Sequence, residues 1–142
     1  MEMFRLFIFS FFAVILSIYD VKFLKVPSII LFVQSLALII FDFLFFRNRM
    51  LQNTIGAISC FAVLLTTYFV SKRNLGFGDV KFGLSVGWLL GNWQWIPALF
   101  MATVLGISFI LVKRHGTQNV KIPFVPFLGF STLCISVLYD SA

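Results

Sequence analysis

Charge is scarce in this chain. Only five of its 142 residues are acidic and 11% are charged in all, against about a quarter in a typical soluble domain, so a water-soluble domain is excluded. Histidine occurs once and cysteine twice. Cys60 and Cys134 both fall in apolar runs, with no CxxC spacing and no neighbouring histidine. Neither a zinc site nor a disulfide framework is indicated, and no metal or cofactor is expected. No internal repeat, low-complexity linker or heptad pattern breaks the chain, and one domain over residues 1–142 is expected. What fills it instead is apolar: 61% hydrophobic residues, 20 of them phenylalanine, and a mean hydropathy of +1.04. This balance predicts an all-α integral membrane protein with room for five or six helices of about 20 residues each and no extramembrane domain.

Apolar runs predict spans at Phe4–Tyr19, Ser28–Phe46, Thr54–Val70, Val80–Leu90, Trp95–Val112 and Pro123–Tyr139. The fourth is short for a crossing and is expected either to extend through Gly91 and Asn92 or to cross where the bilayer is locally thin. The first has Arg5 ahead of an apolar run, like a signal peptide, but no small-residue cleavage site follows and it counts as a span. A net charge of +6 would prompt a nucleic-acid reading in a soluble protein; here it sets topology, and no nucleic-acid partner is expected. Lys22, Lys25, Lys72, Arg73, Lys81, Lys113, Arg114 and Lys121 fall in the odd-numbered links, and only Arg5, Arg47 and Arg49 on the other side. By the positive-inside rule the odd links face the cytoplasm and both termini lie outside the inner (plasma) membrane, with Trp93 and Trp95 as outer interfacial anchors.

An ionisable residue in or beside a span is by default a functional-site hypothesis. Asp20 ends the first apolar run, and Asp79 opens the fourth inside Gly76-Phe77-Gly78-Asp79-Val80-Lys81. Two crossings separate them, which returns both to the cytoplasmic boundary. Paired carboxylates in one partly desolvated site hold a proton between them. The ionised member can then deprotonate a water while the protonated one donates to a scissile carbonyl oxygen. Gly76 and Gly78 permit close approach of a backbone or substrate. The alternative, that both acids merely cap helices among Lys22, Lys25 and Lys81, is left open by spacing alone.

The Gly76–Phe82 run resembles the GxGDxK motif of the type IV prepilin peptidases, membrane aspartyl proteases related to the preflagellin peptidases. Two further stretches resemble that family in order: Asp20 followed by Lys25-Val26-Pro27, and Ile122-Pro123-Phe124-Val125-Pro126-Phe127-Leu128. The resemblance implies a six-helix membrane peptidase that removes the leader peptide of pilin-like or pseudopilin precursors on the cytoplasmic side, with Asp20 and Asp79 as the catalytic pair. Larger members carry a segment with paired CxxC motifs and methylate the new N-terminus. This chain has no such segment, so it resembles the short, peptidase-only forms. Val26 replaces the commoner Ile and Ser28 the commoner Asn.

The remaining residues allow two readings each. Lys81 either orients substrate and tunes Asp79 or anchors topology, and Pro123 and Pro126 either shape the site or simply start the last helix. Tyr19 either bonds the acids or sits at the interface. Asp42 is expected as a solvated helix end or a local ion pair with Arg47, and His115 as a solvated loop residue. Preflagellin is the alternative substrate. A small proton- or ion-coupled transporter or assembly subunit is the alternative class, although a carrier usually places its acids near mid-bilayer. The sequence leaves the oligomeric state open.

Overall fold

The computed structural model describes residues 1–72, 75–113 and 122–141; Arg73, Arg114, His115 and Lys121 lie outside them. Among the described residues there are six α-helices and no strand: α1 (Glu2–Phe23), α2 (Ser28–Phe45), α3 (Met50–Val70), α4 (Phe77–Leu90), α5 (Trp95–Lys113) and α6 (Phe124–Ser141), with a 3₁₀ turn at Arg47–Arg49. All except α4 are long and apolar enough to cross a membrane.

The breaks follow from local chemistry. Leu24 closes α1 in the left-handed region (φ 51°), with its N–H on the Asp20 carbonyl at 2.9 Å. Pro27 then caps α2 in an extended conformation, and a proline disfavours helical angles in the residue before it. So α1 and α2 join through a tight Lys25-Val26-Pro27 link and pack as neighbours. Helix α3 starts at Met50, four residues earlier than the apolar run predicts. Its first turn contains Asn53, a polar residue that ends an apolar run on paper but here points inward and is 4% exposed.

Helix α4 departs from expectation in a more useful way. It does not extend through Gly91 and Asn92, because Gly91 stops it with φ +75°. It lengthens at the other end instead, starting at Phe77 and so taking Asp79 into its first turn. At 14 residues it is about 21 Å long, against a hydrocarbon core of about 30 Å. Nine of those 14 residues are buried, so it is surrounded mostly by protein and has little lipid-facing length to match. It packs against α3 above all, then α2 and α6.

The α3–α4 contact is backbone on backbone. A Cβ added to Gly56 would collide with the carbonyl oxygens of Gly87 and Gly91, and one added to Gly87 would collide with Gly56. Without a hydrophobic driving force between helices in lipid, such close packing is a main source of association. Around α4 the core gathers Phe9 and Leu16 from α1, Leu31 and Leu38 from α2, Cys60 and Leu64 from α3, Ala98 and Ala102 from α5, and Val125 and Leu128 from α6. Helix α5 is the outlier: it packs on α6 and only grazes α3 and α4.

Candidate active site

The end of α1, the start of α4 and the start of α6 meet at one end of the bundle. Asp20 lies in the last turn of α1, where the helix macrodipole is negative and a carboxylate is poorly placed. Helix α6 offsets this. The Val125 N–H donates to Asp20 Oδ2 at 3.1 Å, presenting the positive end of a second helix. Pro123 and Pro126 flank this donor, and neither has an N–H of its own. Pro123 precedes α6 and Pro126 sits in its first turn, so within Pro123–Pro126 only Phe124 and Val125 can donate.

Asp79 sits in the first turn of α4 with Gly76 as N-cap, on the favourable, positive end of its helix. Its carboxylate folds back over the turn, since a Cβ on Gly76 would lie 3.0 Å from Asp79 Oδ2. Gly78 has a different reason to be glycine: a Cβ there would come within 2.6 Å of the Val26 Cβ. The first turn of α4 is therefore pressed against the α1–α2 link, and the two sequence motifs meet in space. Asp79 is 7% exposed and Asp20 5%. Asp79 Oδ1 is buried with no hydrogen-bond partner among the described residues.

Both carboxylates line one cleft of about 1100 Å³. Lys25, Val26, Leu75, Gly76, Phe77 and Gly78 form its rim, and α3 and α5 supply its side walls. Among the described residues, no third His, Cys, Asp or Glu gathers with the two acids. A cleft holding two buried carboxylates, one of them with an acceptor oxygen left free, can take and give protons at a bound polar bond.

Three expected residues lie elsewhere. Lys81 does not pair with Asp79. Its Nζ donates to Ser28 Oγ at 3.0 Å and lies 5.1 Å from the Phe77 ring centroid, which ties the start of α4 to the start of α2. Tyr19 is exposed and packs on Phe23 with ring centroids 5.9 Å apart; it makes no hydrogen bond to Asp20 among the described residues. Trp95 is buried and donates to the Asn92 carbonyl at 2.9 Å, while Trp93 alone is exposed as an interfacial anchor would be.

The larger correction concerns Asp42. It is neither solvated nor paired with Arg47: it is 0% exposed and sits at the opposite end of the bundle from the cleft. Arg5 Nε lies 3.0 Å from its Oδ1, and Trp88 Nε1 and Asn53 Nδ2 both donate to its Oδ2 at 2.8 Å. Arg5 Nη2 also donates to the Trp88 carbonyl at 3.0 Å. Four helices are thus held by one buried ion pair and its hydrogen bonds. Parity could have found it, because the start of α1, with Arg5, and the end of α2, with Asp42, share a side.

Compared with known proteins, residues 7–111 match the Type IV leader peptidase family. The chain belongs to that family. It is accordingly a peptidase-family protein with several apolar helices suited to a membrane. The matched region takes in Asp20 and the whole Gly76–Lys81 run, and it ends before Ile122. The third motif of this leader-peptidase family member is therefore supported by its own geometry, through the Val125 contact to Asp20. No curated protein and no solved structure matches the chain.

Proposed function

We propose that this protein is an aspartyl endopeptidase of the inner membrane that removes the leader from type IV prepilin or pseudopilin precursors on the cytoplasmic side. The observation that carries the reading is the single cleft in which Asp20 and Asp79 are both buried. One carboxylate, ionised, takes a proton from the attacking water. The other, protonated, donates to the scissile carbonyl oxygen; as the C–N bond breaks, the proton held by the first goes to the leaving amine and a hydroxyl of the tetrahedral intermediate returns a proton to the second. Gly76 leaves room for the Asp79 carboxylate and Gly78 lets the start of α4 press on Val26, and Pro123 and Pro126 frame the donor that holds Asp20. Lys81 positions α4 through Ser28. No metal enters the step, and methylation of the new N-terminus is not part of the activity. The acids sit at an end of the bundle, where an edge-cutting peptidase needs them, and not at the mid-depth a carrier would use.

The test is conversion of purified prepilin, pseudopilin and preflagellin precursors by the reconstituted protein, with and without a chelator, read by mass spectrometry. The expected result is chelator-insensitive cleavage of a pilin-like precursor and a free, unmethylated amine on the product. Cleavage of preflagellin alone would move the substrate to the sister group, a methyl mass on the product would reveal a transferase activity, and no cleavage of any precursor would overturn the reading.

A further inference from the structure

The cleft does not end at the carboxylates. It continues along one face of α5, through Ile110, Ile107, Gly106 and Thr103, and is also lined by Thr67 of α3 and by Ser71, which caps that helix. These α5 positions recur at the spacing of a single helix face. Gly106 lies seven residues before the end of α5 at Lys113, about 10 Å along the axis, and Thr103 about 15 Å, so the trough runs well into the apolar layer. Gly106 itself is buried, yet a Cβ added to it would meet nothing within 4 Å. Its backbone is shielded while its side-chain direction opens onto empty cleft.

The hydroxyl groups in the trough are spoken for. Thr67 Oγ1 donates to the Val63 carbonyl at 2.9 Å, Ser71 Oγ to Tyr68 at 3.2 Å and Thr103 Oγ1 to Phe100 at 2.7 Å. None of these three hydroxyls has a proton left to donate, and the rest of the α5 face offers apolar contact. An occupant at that depth has to satisfy its own backbone, which for a peptide means a helix. At the other end of the same cavity, Asp79 Oδ1 is buried without a partner. The cavity thus changes from polar and unsatisfied at the acids to apolar and self-satisfied down α5.

We propose that the α5 face centred on Gly106 seats the apolar helix that adjoins the scissile bond of the peptide substrate, and that the missing side chain at Gly106 sets which helices fit. This rests on the peptidase reading above. A bulky residue at Gly106 fills the seat, which lies about 10 Å along α5 from its end at Lys113. It selects against substrates with an apolar helix more than against a short peptide that carries the cleavage junction alone.

Two measurements test this. In the first, the ratio of kcat/KM for full precursor to kcat/KM for the short peptide is compared among the unaltered protein, Gly106→Phe and Val104→Phe, which alters an exposed α5 residue that does not line the cleft. Gly106→Phe is expected to lower the ratio about tenfold, the scale of a filled apolar pocket, and Val104→Phe to leave it unchanged. An unchanged ratio in Gly106→Phe would overturn the seat while leaving the peptidase intact; failure of the unaltered protein on both substrates would instead remove the peptidase reading. The second measurement needs no turnover and covers a Gly106→Phe protein that does not fold. A photoreactive side chain at the exposed Ile107, in an Asp79→Asn background, should capture the precursor, and one at Val104 should not. Capture of lipid alone from Ile107, or equal capture of precursor from both positions, contradicts the proposal.

Discussion

Three of the five acidic residues are buried, and their partners separate them into two kinds. Asp42 has Arg5, Asn53 and Trp88 around it, whereas Asp20 has the Val125 N–H and Asp79 keeps one oxygen without any partner. Asp42 faces a cation and two donors and is a structural element; Asp79, with no cation beside it among the described residues, is available for chemistry. Removing one member of a buried pair leaves the other uncompensated and costs about 3–5 kcal/mol, while replacing both with apolar groups of similar size is close to neutral. Arg5→Met should therefore sharply lower the thermal stability of the purified protein, and Arg5→Met combined with Asp42→Leu should recover most of the loss. A single variant as stable as the unaltered protein would show that the ion pair does not hold the end of the bundle opposite the cleft. Asp42→Asn is for the same reason a poor control for catalysis. Asp140, exposed near the C-terminus, is the better one.

Among the elements, α4 carries the arrangement, and its glycines show how. Gly56→Ala or Gly87→Ala would force α3 and α4 apart at a backbone contact, and overpacking of this kind costs about 1–3 kcal/mol. Either should lower stability and activity together. Gly78→Ala should act locally, because its Cβ meets the Val26 side chain. Activity should fall with little change in unfolding temperature, and Val26→Gly in the same protein should restore part of it. Absence of any rescue would mean that Gly78 is needed for backbone angles and not for its contact with Val26. The helices themselves were legible as apolar runs, because lipid demands continuous hydrophobic stretches. Their ends were less so. Asn53 looked like a boundary and is an inward-facing partner of Asp42, and the short α4 looked as if it needed extra length because a sequence does not show that neighbouring helices cover it.

For the whole molecule, the sequence carries the meeting of Asp20 and Asp79 through parity and motif resemblance. It does not carry the α6 contact, since nothing in Ile122–Leu128 says that the Val125 N–H reaches a residue more than a hundred positions earlier. Likewise Lys81 stands two residues from Asp79 in sequence but is drawn to Ser28 by the way α4 packs on α2. The proposed orientation is checked with single cysteines in a protein lacking Cys60 and Cys134: Ser71→Cys should react with a membrane-impermeant reagent only from the cytoplasmic side, and Asn92→Cys only from outside. Reaction of both from one side would contradict the six-helix topology. The central claim is that Asp20 and Asp79 act as one unit, and the most direct test compares cleavage rates of a pilin-like precursor by Asp20→Asn, Asp79→Asn, the double variant and Asp140→Asn at equal abundance in membranes. Loss of a positioned acid or base costs about 10² to 10⁴ in rate, and groups that act together lose about as much from one change as from both. The account predicts that each single variant falls by that factor, that the double variant falls no further, and that Asp140→Asn cleaves normally; substantial cleavage by either single variant, or losses that multiply in the double, would contradict it.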